Sequence, residues 1–194
     1  MSWKRALFWL VLAVPAGLMI AQLASGAARA MDLYHPSGEM SLRLMVIALM
    51  AGPVADIFGR NRFTRGWLAI RRNLGVAAFC YAALHLVFYV IDLRTLAAML
   101  DELTLPAIWT GWLGFAFMLA AASISTDAAM RRLGHWWKRI QLGVYAAVLL
   151  AALHWALLDR EAGPALIHLA PLLVLWPLRA VILYSRRTTR GLST

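Results

Sequence analysis

Acidic residues and cysteine are both scarce in this chain. Nine Asp and Glu stand against nineteen Lys and Arg, giving a net charge of +10 over 194 residues, and Cys80 is the single cysteine. One thiol excludes an intrachain disulfide framework. Charged residues of either sign are only 14% of the chain, while 62% is apolar and the mean hydropathy is +0.70, which excludes an ordinary soluble domain. An excess of positive charge in a soluble chain would point to nucleic acid. Here the basic residues form short clusters between apolar runs, so membrane lipid is the expected surroundings and nucleic acid is excluded as a partner. Also lacking are a glycine-rich phosphate loop, a zinc-type spacing of histidine and cysteine, and a serine–histidine arrangement with a buried acid. Those absences favour an electron carrier over a hydrolase.

What is present is a series of long apolar runs. A spanning helix needs about 20 mostly apolar residues, and six segments qualify, at about 6–26, 40–58, 73–92, 105–125, 139–158 and 163–184. The fold class is therefore all-α: one integral membrane bundle of six helices over residues 1–194, with no room left for a soluble domain. Lys4 and Arg5, the following apolar run and "ASGAARA" imitate a signal peptide with its small-residue cleavage site, but the run is long for one and is read as the first span.

Loop charge orients the bundle. Lys4 and Arg5, Arg60 to Arg72, Arg131 to Arg139 and Arg186 to Arg190 fall on one side, which the positive-inside rule makes cytoplasmic. The opposite loops hold Asp32, Glu39, Asp92, Asp101, Glu102, Asp159 and Glu161, with Arg29, Arg94 and Arg160 as their basic residues. Both termini are expected inside. Trp67, Trp136 and Trp137 near the inner ends, and Trp109 and Trp112 near an outer end, fit an aromatic belt.

Two histidines lie deep in these runs. His85 in "CYAALHLVFYV" is 13 residues beyond Arg72, and His154 in "AALHWAL" is 15 beyond Arg139. At 1.5 Å per residue the depths are about 20 and 22 Å, a shared level in the outer half of the membrane. Ala82, Ala78 and Gly75 lead up to His85 on one helical face, and Ala151, Ala147 and Gly143 lead up to His154. Such stripes could leave space for a flat macrocycle held by two axial histidines, or could simply let helices approach closely, with each histidine bonding a neighbour. Matched depth favours the first, because polar groups so deep are costly and usually functional.

His168, near the outer end of the sixth span, is read as a third ligand or a hydrogen-bonding neighbour. Arg43, near the outer end of the second, is read either as snorkelling to the interface or as pairing with a haem propionate. His35 and His135 are assigned to exposed loops.

With these residues placed, the chain resembles the ferric-reductase-like transmembrane family, and within it the MsrQ type of haem-binding membrane subunit. The resemblance is carried by "HPSGEMSLRL" at 35–44, "RRNLGVAAFCYAALHLVFY" at 71–89 and "STDAAMRRLGHWWKRIQLGVYAAVLLAALHW" at 125–155. It implies haem b, with His85 and His154 as axial ligands of an outer haem, and flavin mononucleotide (FMN). It also implies outward electron transfer across the bacterial inner membrane, from the quinone pool or a cytosolic flavin reductase. The acceptor would be a periplasmic molybdopterin enzyme that repairs methionine sulfoxide. Relatives tend to carry a further histidine 13 residues before the fifth-span ligand, where this chain has Gln141. Glutamine is a poor haem ligand, so an inner haem is in doubt. Electrons could then enter through flavin, through quinone from the lipid, or through a site using His135, with Arg71 and Arg72 available to a flavin phosphate. Two rivals stand beside this expectation: a self-standing transmembrane ferric or cupric reductase, and a haemless membrane scaffold.

Overall fold

A computed structural model describes residues 3–191, so the expected domain over 1–194 extends past the described residues at both ends. The chain is all-helical there. Its long helices are α1 (Trp3–Ala24), α2 (Tyr34–Phe58), α3 (Arg62–Leu93), α5 (Pro106–Ser123), α8 (Gly143–Asp159) and α9 (Gly163–Gly191). Four short elements lie between them among the described residues: a 3-10 helix (Ala30–Leu33), α4 (Leu96–Glu102), α6 (Asp127–Leu133) and α7 (His135–Gln141). Six stretches are long and apolar enough to cross a membrane, with α7 and α8 together making the fifth.

Local signals explain the boundaries. Asn61 caps α3 by accepting from Thr64 N at 3.0 Å, Thr126 caps α6 by accepting from Ala129 N at 3.1 Å, and Pro106 opens α5 where its missing N–H is unneeded. Arg94 and Arg160 end α3 and α8 in the left-handed region, at φ of 59° and 55°. Several helices run beyond the expected spans, α2 beginning at Tyr34 and α9 ending at Gly191. The third span was expected at about 73, but α3 begins at Arg62, because hydropathy marks the apolar run and not the arginine-bearing helix leading into it. The fifth span is one apolar stretch, His135–Asp159, in which α7 meets α8 at Leu142, a residue of φ −65° and ψ −20° whose N–H keeps its helical bond to Lys138 O at 3.1 Å. Gly143 opens α8 against Phe117, whose Cδ1 would lie 2.9 Å from an added Cβ.

The bundle is organised around two antiparallel hairpins. Helix α2 packs along α3 and α5 along α8, while α9 covers α2 and α8. The shared core joins Leu42, Met45, Leu74, Ala78, Val148 and Leu172. Small residues bring the backbones together, as where Ser41 Oγ donates to Ala78 O at 2.9 Å. Helix α1 stands at the periphery, largely exposed along its length and packed on α3.

Candidate functional site

The two hairpins face each other through one histidine apiece. His85 on α3 and His154 on α8 have ring centroids 6.2 Å apart and ring planes crossed at 87°. The expected common depth is therefore a direct juxtaposition. His85 Nδ1 lies 2.9 Å from Tyr34 O at the start of α2, and His154 Nδ1 lies 2.5 Å from Ala107 O at the start of α5. A carbonyl only accepts, so each Nδ1 carries the proton and each Nε2 presents a lone pair. Neither Nε2 makes a hydrogen bond among the described residues. This is the arrangement in which a backbone carbonyl orients a metal-binding imidazole.

His85 and His154, each with an Nε2 lone pair beside the same cavity, are the residues that would hold a metal-bearing cofactor.

Around the pair is a cavity of about 520 Å³, within the range of ligand and cofactor sites. Its apolar walls include Leu42, Leu86, Ile108, Phe115 and Met118, and Ala82 and Ala151 from the small-residue stripes also line it. The deeper members of the stripes do not. Ala78 and Ala147 are fully buried in helix contacts, and Gly143 meets Phe117. The stripes thus line the cavity at one depth and bring helices together at another.

The rim of the cavity is acidic. Glu39, Asp92, Glu102 and Asp159 line it, without a lysine or arginine. Tyr34 OH donates to Asp92 at 2.7 Å and Tyr89 OH to Glu102 at 2.8 Å, so the two tyrosines tether two of these carboxylates.

His168 and Arg43 meet each other outside the cavity lining. Arg43 Nε donates to His168 Nε2 at 3.2 Å, Arg43 Nη2 contacts Glu39 Oε1 at 2.5 Å, and His168 Nδ1 donates to Pro164 O at 2.8 Å. Both ring nitrogens of His168 are therefore engaged. His35, assigned to a loop from sequence, lies in the first turn of α2, lines the cavity and packs edge-on against Trp155 at 5.1 Å.

The inner-side candidates do not converge. Gln141 Nε2 donates to Ala121 O at 3.0 Å, satisfying a carbonyl near the end of α5. Arg72 pairs with Asp127 at 2.6 Å, Arg71 is exposed, and His135 is an exposed first residue of α7 beside Trp136. No contact joins Gln141, His135, Arg71 and Arg72 among the described residues.

Sequence reasoning gave no role to Gly111 or to Gly38. Each lies against a histidine ring: a Cβ on Gly111 would fall 2.7 Å from His154 Cε1, and one on Gly38 would fall 3.2 Å from His85 Nδ1. The available signal was their place one turn after each helix start.

Comparison with known proteins adds to this geometry. Residues 37–152 match the family model described as the ferric reductase like transmembrane component. A protein-methionine-sulfoxide reductase heme-binding subunit MsrQ of Pectobacterium carotovorum is 33% identical over 175 residues, covering 87% of this chain and 83% of that one. The protein of the same name from Xanthomonas oryzae pv. oryzae is 33% identical over 172 residues, covering 87% and 77%, and that from Rhizobium meliloti is 32% identical over 151, covering 75% and 68%. No solved structure matches the chain.

Proposed function

The chain belongs to the ferric-reductase-like transmembrane family, and from that premise we propose that it is the haem b membrane subunit of a methionine sulfoxide reductase system. In this reading it carries electrons outward across the bacterial inner membrane to a periplasmic molybdopterin reductase, from quinol or from a cytosolic flavin reductase. The membrane orientation is part of the proposal and follows the charge asymmetry of the loops, with both termini cytoplasmic.

The observation that carries it is the pair of histidines 6.2 Å apart, each held by a carbonyl at Nδ1 and without a hydrogen bond at Nε2. His85 and His154 would hold the haem iron axially, and the iron would supply one-electron chemistry. The protein's part is placement: α3 and α8 fix the depth, the apolar walls exclude water, and Tyr34 and Ala107 carbonyls keep each Nε2 unprotonated.

Gln141, bonded to α5, supports one haem per chain. The inner residues do not fit a flavin site, since Arg72 is engaged by Asp127 and Arg71 and His135 stand apart, so no step is assigned to FMN. The acidic rim favours one second reading, direct reduction of a ferric or cupric ion at the cavity mouth.

Purification with an absorption spectrum tests the proposal. A low-spin bis-histidine haem signal is expected, lost in both His85→Ala and His154→Ala while helical content is kept. A wild-type protein without a Soret band after haem supplementation would overturn it in favour of a scaffold. Reduction of chelated iron by the reduced subunit alone would favour the second reading.

A further inference from the structure

His85 and His154 are held by one device built twice, from different helices. On α2 the Tyr34 carbonyl takes the Nδ1 proton of His85, and Gly38, one turn later, lies against the ring. On α5 the Ala107 carbonyl takes the Nδ1 proton of His154, and Gly111, one turn later, lies against that ring. The i, i+4 spacing puts the carbonyl and the glycine on the same helical face in both cases.

The two contacts constrain different freedoms. A histidine side chain has two torsions; the bond to the carbonyl sets where Nδ1 points, and the bare glycine Cα sets how closely the ring lies on the helix. A Cβ at Gly111 would come 2.7 Å from both Cε1 and Nδ1 of His154 and 3.3 Å from Cγ. No ring tolerates that without moving, and movement away from α5 also lengthens the bond to Ala107. At Gly38 the corresponding distances are 3.2 Å to Nδ1 and 3.4 Å to Cε1, which a small tilt of His85 relieves. The two planes held in this way cross at 87°.

We infer that Gly38 and Gly111 are positioning residues that, with the Tyr34 and Ala107 carbonyls, lock the two ligand planes at right angles across a single iron. The inference rests on the haem reading above and adds to it a defined ligand orientation and the residues that set it.

The test is the electron paramagnetic resonance spectrum of the ferric protein, taken with haem content and helical content. Wild type should give the strongly anisotropic low-spin signal of crossed imidazole planes. Gly111→Ala should keep haem but shift its signal toward the weaker anisotropy of near-parallel planes, or lose part of it to high spin. Gly38→Ala should shift in the same direction by less. Gly75→Ala, on α3 with open space around its Cα, should superimpose on wild type. A wild-type signal of parallel planes, or Gly111→Ala and Gly38→Ala signals unchanged at full haem content, would overturn the inference while leaving the haem assignment intact. If Gly111→Ala does not fold, Gly38→Ala decides: an unshifted signal overturns the inference and a shifted one supports it. A wild-type protein without haem overturns the functional reading, and the inference falls with it.

Discussion

The hydroxyl of Tyr81 bridges two backbone groups of α1, donating to Leu12 O at 2.7 Å and accepting from Ala16 N at 3.1 Å. Pro15 lies within that turn and has no N–H, so the turn is weakened where Tyr81 of α3 joins it. These bonds tie the peripheral helix to the bundle. In a membrane an unpaired backbone group has no water to turn to. Tyr81→Phe should destabilise the attachment of α1 by about 1–2 kcal/mol, in the range of interhelical hydrogen bonds in lipid. Faster protease cleavage between α1 and α2, with an unchanged absorption spectrum, is the expected result. An unchanged cleavage rate would show that apolar contact alone holds α1.

Gln141 provides a second test. Its amide bonds the Ala121 carbonyl where α5 ends and α7 meets α8. Gln141→Ala should lower stability by about 1 kcal/mol, the usual net value of such a bond, and leave haem at one per chain. A fall in haem content would give Gln141 a part in cofactor binding that its contacts do not support.

The inner surface carries a pH-dependent tie. The hydrogen bond and charge of Arg72 hold the Asp127 carboxyl below the usual carboxylate range, joining α6 to α3. A depressed carboxylate stabilises the folded state above its unfolded pKa, and the effect is lost as pH falls through the folded value. The protection of α6 amides, taken as the intrinsic exchange rate at each pH divided by the observed rate, should therefore be flat from neutral pH down to about 4, the ordinary carboxylate range, and fall below it. Asp127→Asn should show the lower protection throughout the range above pH 4. Salt should have the same effect on the wild type, since both partners are exposed.

Much of the site was legible because depth in a membrane can be counted. His85 and His154 were paired from the distance between each one and the nearest basic cluster, and the rings meet. Counting residues gives depth but not azimuth, which explains what was missed. Gly111 touches His154 only because α5 crosses α8 at that level, and no periodicity within α5 records the crossing. His35 was assigned to a loop because it precedes the second apolar run at about 40–58; yet α2 begins at Tyr34, and Pro36 is tolerated in its first turn.

His168 decides between the ligand reading and the neighbour reading of the third outer histidine. Its Nδ1 donates to Pro164 O within α9, and its Nε2 meets Arg43 and Glu39 of α2, so neither nitrogen is free for iron. The cluster bridges α2 and α9, with Trp155 of α8 packed on the His168 ring at 5.0 Å. His168→Ala should therefore keep the haem content and the low-spin spectrum of the wild type, unlike His85→Ala and His154→Ala. Its cost should appear as stability. The loss of a partly exposed, charge-linked contact should lower the unfolding free energy by about 1–2 kcal/mol. His168→Gln should recover part of this, because its amide can still accept from Arg43. A variant that loses the low-spin signal, and recovers it with added imidazole, would place His168 on the iron and refute the neighbour reading.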